Sequence, residues 1–204
     1  MSDSLPSPRD LLAALLAQLP HEAPAGPDAI NPLQHLAPRH QKLFVTLHCI
    51  FPNELLPALD LLDRRLVTRL LLPEALRGGD PGSNSVYYVR SSQPPSRSRF
   101  QSGARTSYEV RLTSWNCTCP AFTFAVFGAG SAEVSADSKA AADPRERVAS
   151  GVGGMTTGDG VPPVCKHLLA CLLTEKCGGL LEHQISELEA TREELAGWAT
   201  GWGG

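Results

Sequence analysis

The sequence predicts an α+β fold: a small three-stranded antiparallel meander with helices around it, pinned by a split Cys/His set and interrupted by disordered loops. Three observations predict it. Up to about residue 66 the apolar residues recur at helical spacing, and from Val67 onward short runs rich in Val, Tyr, Thr and Leu alternate with Gly, Pro and Ser clusters. Beyond them, Cys117-Thr118-Cys119 is answered across a long polar stretch by Cys165-Lys166-His167.

Composition narrows the function classes. The chain has 204 residues, 42% of them apolar, and a formal net charge of -3. That charge gives no electrostatic footprint for autonomous nucleic-acid binding, so any such contact is local or borrowed from a partner. No apolar run is long enough to span a bilayer, and Met1 to Ser7 lacks the basic start and apolar core of a secretion signal; a soluble, intracellular protein is expected. Six cysteines in such a chain, three of them at CxC and CxH spacing with a histidine, read as metal ligation rather than as a disulfide framework.

The chain divides into an N-terminal helix and linker (1–36), a helical and β-meander domain (37–127 and 164–198), a disordered insertion (128–163) and a tail (199–204). Ser7, Pro8 and Asp10 form a helix start, and Leu11, Leu12, Leu15, Leu16 and Leu19 an apolar stripe that Pro20 stops. A helix of about three turns must dock, on its own domain or on a partner. Helical period resumes from Pro38 through Leu43, Phe44, Leu47 and Phe51; His48 and Cys49 inside this helix read as packing residues. Asn53 can cap a third helix whose stripe is Leu55, Leu56, Leu59, Leu62 and Leu66, with Pro57 tolerated in its first turn.

Val67–Leu72, Ser85–Arg90 and Tyr108–Leu112 are the expected strands. The loop between the last two carries Arg97, Arg99 and Arg105 with Phe100 among them. It reads as a solvated Ser/Arg loop or, more sharply, as a possible nucleic-acid contact in which arginines meet phosphates and Phe100 stacks on a base.

In an extended segment residues two apart project to one side, so Cys117 and Cys119 can face one ion. Pro120 then opens a short helix expected to offer Phe122, Phe124, Val126 and Phe127 to the core. On a helix, Cys165 and His167 would lie about 200° apart, so both must sit on the turn entering the Leu168–Leu173 helix, which ends near Lys176 and Gly178. Together the four residues supply three thiolates and an imidazole, the closed donor set of a structural zinc site with no position left for a substrate water. The 45 intervening residues are a modest obstacle. Lengthening a loop threefold costs about 1 kcal/mol, against about 10–16 kcal/mol for structural zinc binding. Cys171 and Cys177 are assigned to packing or exposure, and an acidic final helix is expected from about Ser186 to Trp198.

CxC followed after a gap by CxH, with a β segment before and a helix after, resembles the SWIM zinc finger. More closely, the strings Ala58–Thr68 (ALDLLDRRLVT), Cys117–Phe127 (CTCPAFTFAVF) and Cys165–Leu173 (CKHLLACLL) resemble the SWIM family of the Shu complex, although the spacer is longer than SWIM gaps usually are. The resemblance implies a non-enzymatic adaptor with one structural Zn²⁺ on Cys117, Cys119, Cys165 and His167. It implies pairing with a RecA-like recombinase paralogue and assistance to a recombinase filament on single-stranded DNA, contacted mainly through partners. A nuclear location in homologous-recombination DNA repair follows. The alternative is a SWIM substrate-binding module of a ubiquitin-ligase or transposase-related protein. A thiol enzyme is disfavoured, because Cys171 lies in an apolar helix with no base placed to activate it.

Overall fold

A computed structural model describes residues 5–22, 33–71, 85–92, 106–128, 152–153 and 161–200. Its described residues form a mixed α/β fold: six α-helices and a five-stranded sheet. The helices are α1 (Pro8–Leu16), α2 (Pro38–Ile50), α3 (Leu55–Asp63), α4 (Pro120–Gly128), α5 (Lys166–Cys177) and α6 (Arg192–Ala199). The strands are β1 (Val67–Leu71), β2 (Val86–Arg90), β3 (Ser107–Arg111), β4 (Asn116–Cys117) and β5 (Ile185–Glu189), in the order β4-β3-β2-β1-β5.

The expected three-stranded sheet is therefore too small. β1, β2 and β3 pair antiparallel in succession, β4 adds to β3, and β5 adds to β1 in parallel, with Val67 opposite Ile185 and Arg69 opposite Glu187. The segment expected to begin the last helix is thus a strand. The open edge of β1 offers it a ladder, while the true helix start is marked by a capping box: Thr191 Oγ1 accepts from the Glu194 N–H and the Glu194 carboxylate accepts from the Thr191 N–H.

Side-chain alternation sorts the sheet into two faces. Val67, Tyr87, Val89 and Val110 face the main core, where Leu168, Leu169, Leu172 and Leu173 of α5 meet Leu55, Ala58, Leu61 and Leu62 of α3. Leu70, Val86 and Tyr88 face the other way, under Ala190, Leu195 and Trp198; the Tyr88 and Trp198 rings lie 4.9 Å apart. β2 is central and covered on both faces, so its first four residues are all buried.

The Ser7 hydroxyl caps α1, and Leu12, Leu16 and Leu19 enter the main core while Leu11 is exposed. Glu54 rather than Asn53 takes the N-cap position of α3 and makes no side-chain cap bond. Its core face is Leu55, Ala58, Leu61 and Leu62, with Leu56 left in solvent, because α5 packs against that side. Cys49 is exposed rather than packed. Val152 falls within the span expected to be a disordered insertion, yet it is fully buried in the main core; residues 129–151 and 154–160 lie outside the described residues. Among the described residues no helix is long and apolar enough to cross a membrane.

Candidate metal centre

The sequence brings its two half-sites to one place by two different local devices. After β3 the chain turns over Leu112 to Trp115, with the Trp115 N–H on the Leu112 carbonyl at 3.1 Å, and Trp115 sits at φ 50°. A non-glycine residue there costs roughly 1–2 kcal/mol. The turn is held because the indole is buried and its Nε1–H donates to the Pro163 carbonyl at 2.8 Å, on the other half of the site. β4 follows, and Thr118 turns back to β3: its hydroxyl accepts the Glu109 N–H at 2.9 Å and its own N–H donates to the Glu109 carbonyl at 3.0 Å. That leaves Cys117 and Cys119 facing inward, both buried.

The second half begins at a helix start. Cys165 is the N-cap of α5, extended at φ -124° and ψ 166°, and Lys166 and His167 are the first two helical residues. The turn-entry position read from the sequence is thus observed for Cys165, whereas His167 lies inside the first turn of the helix, which begins two residues earlier than expected. Each cluster is also capped by a helix amide: the Phe122 N–H of α4 donates to the Cys119 Sγ at 3.3 Å, and the Leu168 N–H of α5 donates to the Cys165 Sγ at 3.5 Å. Two helix N-termini therefore present their positive ends to the sulfurs, an arrangement that favours thiolate over thiol.

The ligand atoms of Cys117, Cys119, Cys165 and His167 all lie within 4.8 Å of one another, and all four side chains are buried. His167 Nδ1 stands 3.9 Å from the Cys117 Sγ, and its ring packs on Tyr108 of β3 with centroids 4.7 Å apart. Its Nε2 is buried with no hydrogen-bond partner among the described residues. Tetrahedral metal–sulfur bonds of about 2.3 Å imply ligand separations of roughly 3.8 Å, close to what the protein holds ready.

Electrostatics point the same way. Cys119 is held far below the ordinary thiol range by hydrogen bonds from Cys117 and Cys165, while Cys117 is driven far above it by its bond to Cys119 and then to Cys165. Cys165 is pulled down by its bond to Cys117, but its bond to Cys119 and burial push it up to about 11 overall. Three crowded, buried sulfurs can share one negative charge; carrying three needs a cation at their centre. The donor set, burial and spacing therefore form a group that can hold a metal ion.

The remaining sequence candidates separate from it. Arg97, Arg99, Arg105 and Phe100 lie outside the described residues. Of the arginines flanking that loop, Arg90 donates to the Arg65 carbonyl at 3.3 Å and Arg111 pairs with Glu109 at 2.5 Å. Cys171 and Cys177 are buried in the core, their thiols pushed up by desolvation, Cys177 to about 12. The face expected of α4 is corrected: Phe122 alone is buried, whereas Phe124 and Phe127 are 75% and 80% exposed and Val126 is exposed too. The helix is too short and too close to the sheet edge to bury more than one side of itself.

Sequence reasoning missed a second polar cluster. Arg69 of β1 pairs with Glu187 of β5 at 3.2 Å and with Glu175 of α5 at 3.3 Å, and Tyr87 of β2 donates its hydroxyl to Glu175. Burial and then Glu175 push the Tyr87 hydroxyl far up, so it remains a donor. The cluster ties α5 to three strands, and no local pattern announces it, since its members come from four separate elements. No protein-family model matches the chain, and no curated protein matches it in sequence.

Proposed function

We propose that the chain is a zinc-stabilised SWIM-type adaptor of a Shu-like complex. It pairs with a RecA-like recombinase paralogue and helps a recombinase filament assemble on single-stranded DNA during homologous-recombination repair in the nucleus. The observation that carries the reading is the buried Cys117, Cys119, Cys165 and His167 group, formed by CPAF-type and CKHLLA-type strings at the starts of two helices. Zinc suits the donor set: three soft sulfurs and one imidazole fill a tetrahedron and select a borderline-soft ion.

When bound, the ion supplies cross-linking and charge neutralisation; the chain's residues do the rest. Cys117 and Cys119 tie the sheet edge, Cys165 and His167 tie α5, and Tyr108 fixes the imidazole plane. Beside the group, Phe124, Val126 and Phe127 stand in solvent. An apolar face of that kind supports protein recognition as the task of the joined surface.

Purified protein is expected to carry one zinc per chain and to retain a RecA-like paralogue through co-purification and mass spectrometry. Absence of stoichiometric zinc would overturn the reading. So would a Cys165→Ala, His167→Ala double variant that keeps both its fold and its partner.

A further inference from the structure

A cleft of about 520 Å³ lies between the end of α1 and the start of α2, on elements that take no part in the metal group. Its wall carries His21, His35, Arg39 and His40. Three of the protein's six histidines thus gather in one depression of a chain whose formal net charge is -3. Among the described residues Glu22 is the single acid lining it. None of these four basic side chains has a carboxylate partner among the described residues. The apolar part of the wall includes Leu19 and Leu36, both buried and both part of the main core. The His21 backbone in its wall packs closely on the chain just after α5: a Cβ on Gly179 would stand 3.3 Å from the His21 carbonyl.

Two ligand chemistries could use three imidazoles, and geometry separates them. A metal ion needs ring nitrogens converging on one point, and these three do not form such a group; among the described residues only the Cys117 cluster does. A phosphate makes no such demand. It accepts hydrogen bonds from donors spread around its several oxygens, and an arginine fork with flanking imidazoles is a common way to hold it. The volume is in the range of small-ligand pockets, and an apolar floor beside a cationic rim fits a ligand that joins a phosphate to an apolar or planar part.

We propose that this cleft binds a phosphate-bearing ligand of nucleotide type, through Arg39, His40, His35 and His21, with the apolar part against Leu19 and Leu36. The site is independent of the metal group and does not rest on the adaptor reading. A free nucleotide and one nucleotide unit of a single strand share this chemistry, so the experiment separates them.

The full-length protein is titrated calorimetrically with three probes. The probes are adenosine monophosphate, adenosine and an oligothymidylate. Saturable binding of the monophosphate, weakened at least tenfold in Arg39→Ala and in His40→Ala and absent for adenosine, is the expected result. Binding of the oligothymidylate with the same dependence on Arg39, and with weaker binding of the monophosphate, assigns the source to a nucleic-acid strand. Equal binding of adenosine and its monophosphate overturns the proposal. So does saturable binding that Arg39→Ala leaves unchanged, or no binding of either phosphate probe. Arg39 is exposed, so its variant is expected to keep the wild-type melting curve, and an Arg111→Ala control is expected to bind normally.

Discussion

The indole Nε1–H of Trp115 donates to the carbonyl of Pro163 at 2.8 Å, across 48 residues of chain. The bond joins the turn that precedes Cys117 to the segment that leads into Cys165, so the two halves of the candidate metal group are latched by a protein contact that needs no ion. Trp115→Phe keeps an aromatic ring and removes the donor. It is expected to cost about 1–2 kcal/mol in denaturant unfolding. Metal affinity is expected to fall with it, because the half-sites are then less well positioned for one another. Unchanged stability and unchanged affinity together would show that the latch does not matter.

The four candidate ligands are predicted to differ sharply from the two spare buried sulfurs. Cys117→Ala, Cys165→Ala and His167→Ala are each expected to abolish stoichiometric metal measured by atomic absorption. Cys171→Ala is expected to keep full metal content and lose about 1 kcal/mol of stability to a small cavity. In the native protein, an alkylating reagent is expected to label exposed Cys49 well before Cys171 or Cys177.

Alkaline pH provides a separate test. Burial raises the Cys177 thiol to about 12 and the Cys171 thiol well above its ordinary value, while burial and their carboxylate partners raise Tyr87 and Tyr88. A group whose folded-state value is raised contributes stability that is complete below its unfolded value and lost as pH climbs toward the folded one. For Cys177 that window runs from about 9 to about 12. Stability should therefore fall as pH rises through this range, by up to about 1.4 kcal/mol per pH unit for each such group. Cys177→Ala is expected to flatten part of that slope.

The solvent-facing side of α4 is predicted to separate binding from stability. Phe127→Ser and Phe124→Ser remove side chains that are 80% and 75% exposed, so thermal stability should move by no more than about 0.5 kcal/mol. Partner recovery in co-purification is expected to fall at least several-fold. A double variant that recovers its partner at the wild-type level would exclude this face.

Val152 is fully buried in the main core, although it lies in a stretch whose composition is that of a loop. Val152→Ala is expected to cost about 1–2 kcal/mol in chemical denaturation, close to the value of a buried valine side chain. A neutral result would mean that the anchor contributes nothing.

The amino-acid sequence by itself determined what is local. Proline and a capping serine placed α1, β-rich runs bounded by turn residues placed β1, β2 and β3 within a residue or so, and the steric rule for residues two apart placed Cys165 on the entry to α5. Four residues at short CxC and CxH spacing were legible as one donor set because metal chemistry restricts which side chains can share an ion. Tertiary structure alone decided what depends on distant neighbours. Ile185–Glu189 has no strand signature strong enough to outweigh its helix-like acids, and it becomes β5 because β1 offers an open edge and Arg69 faces Glu187 across it. Phe124 and Phe127 read as core residues by composition and stand in solvent because the sheet ends beside α4. Val152, the Trp115–Pro163 bond and the cluster of Arg69, Tyr87, Glu175 and Glu187 each join segments far apart in the chain. Periodicity and spacing carry information only over a few residues, whereas burial and pairing are properties of whatever the folded chain brings alongside.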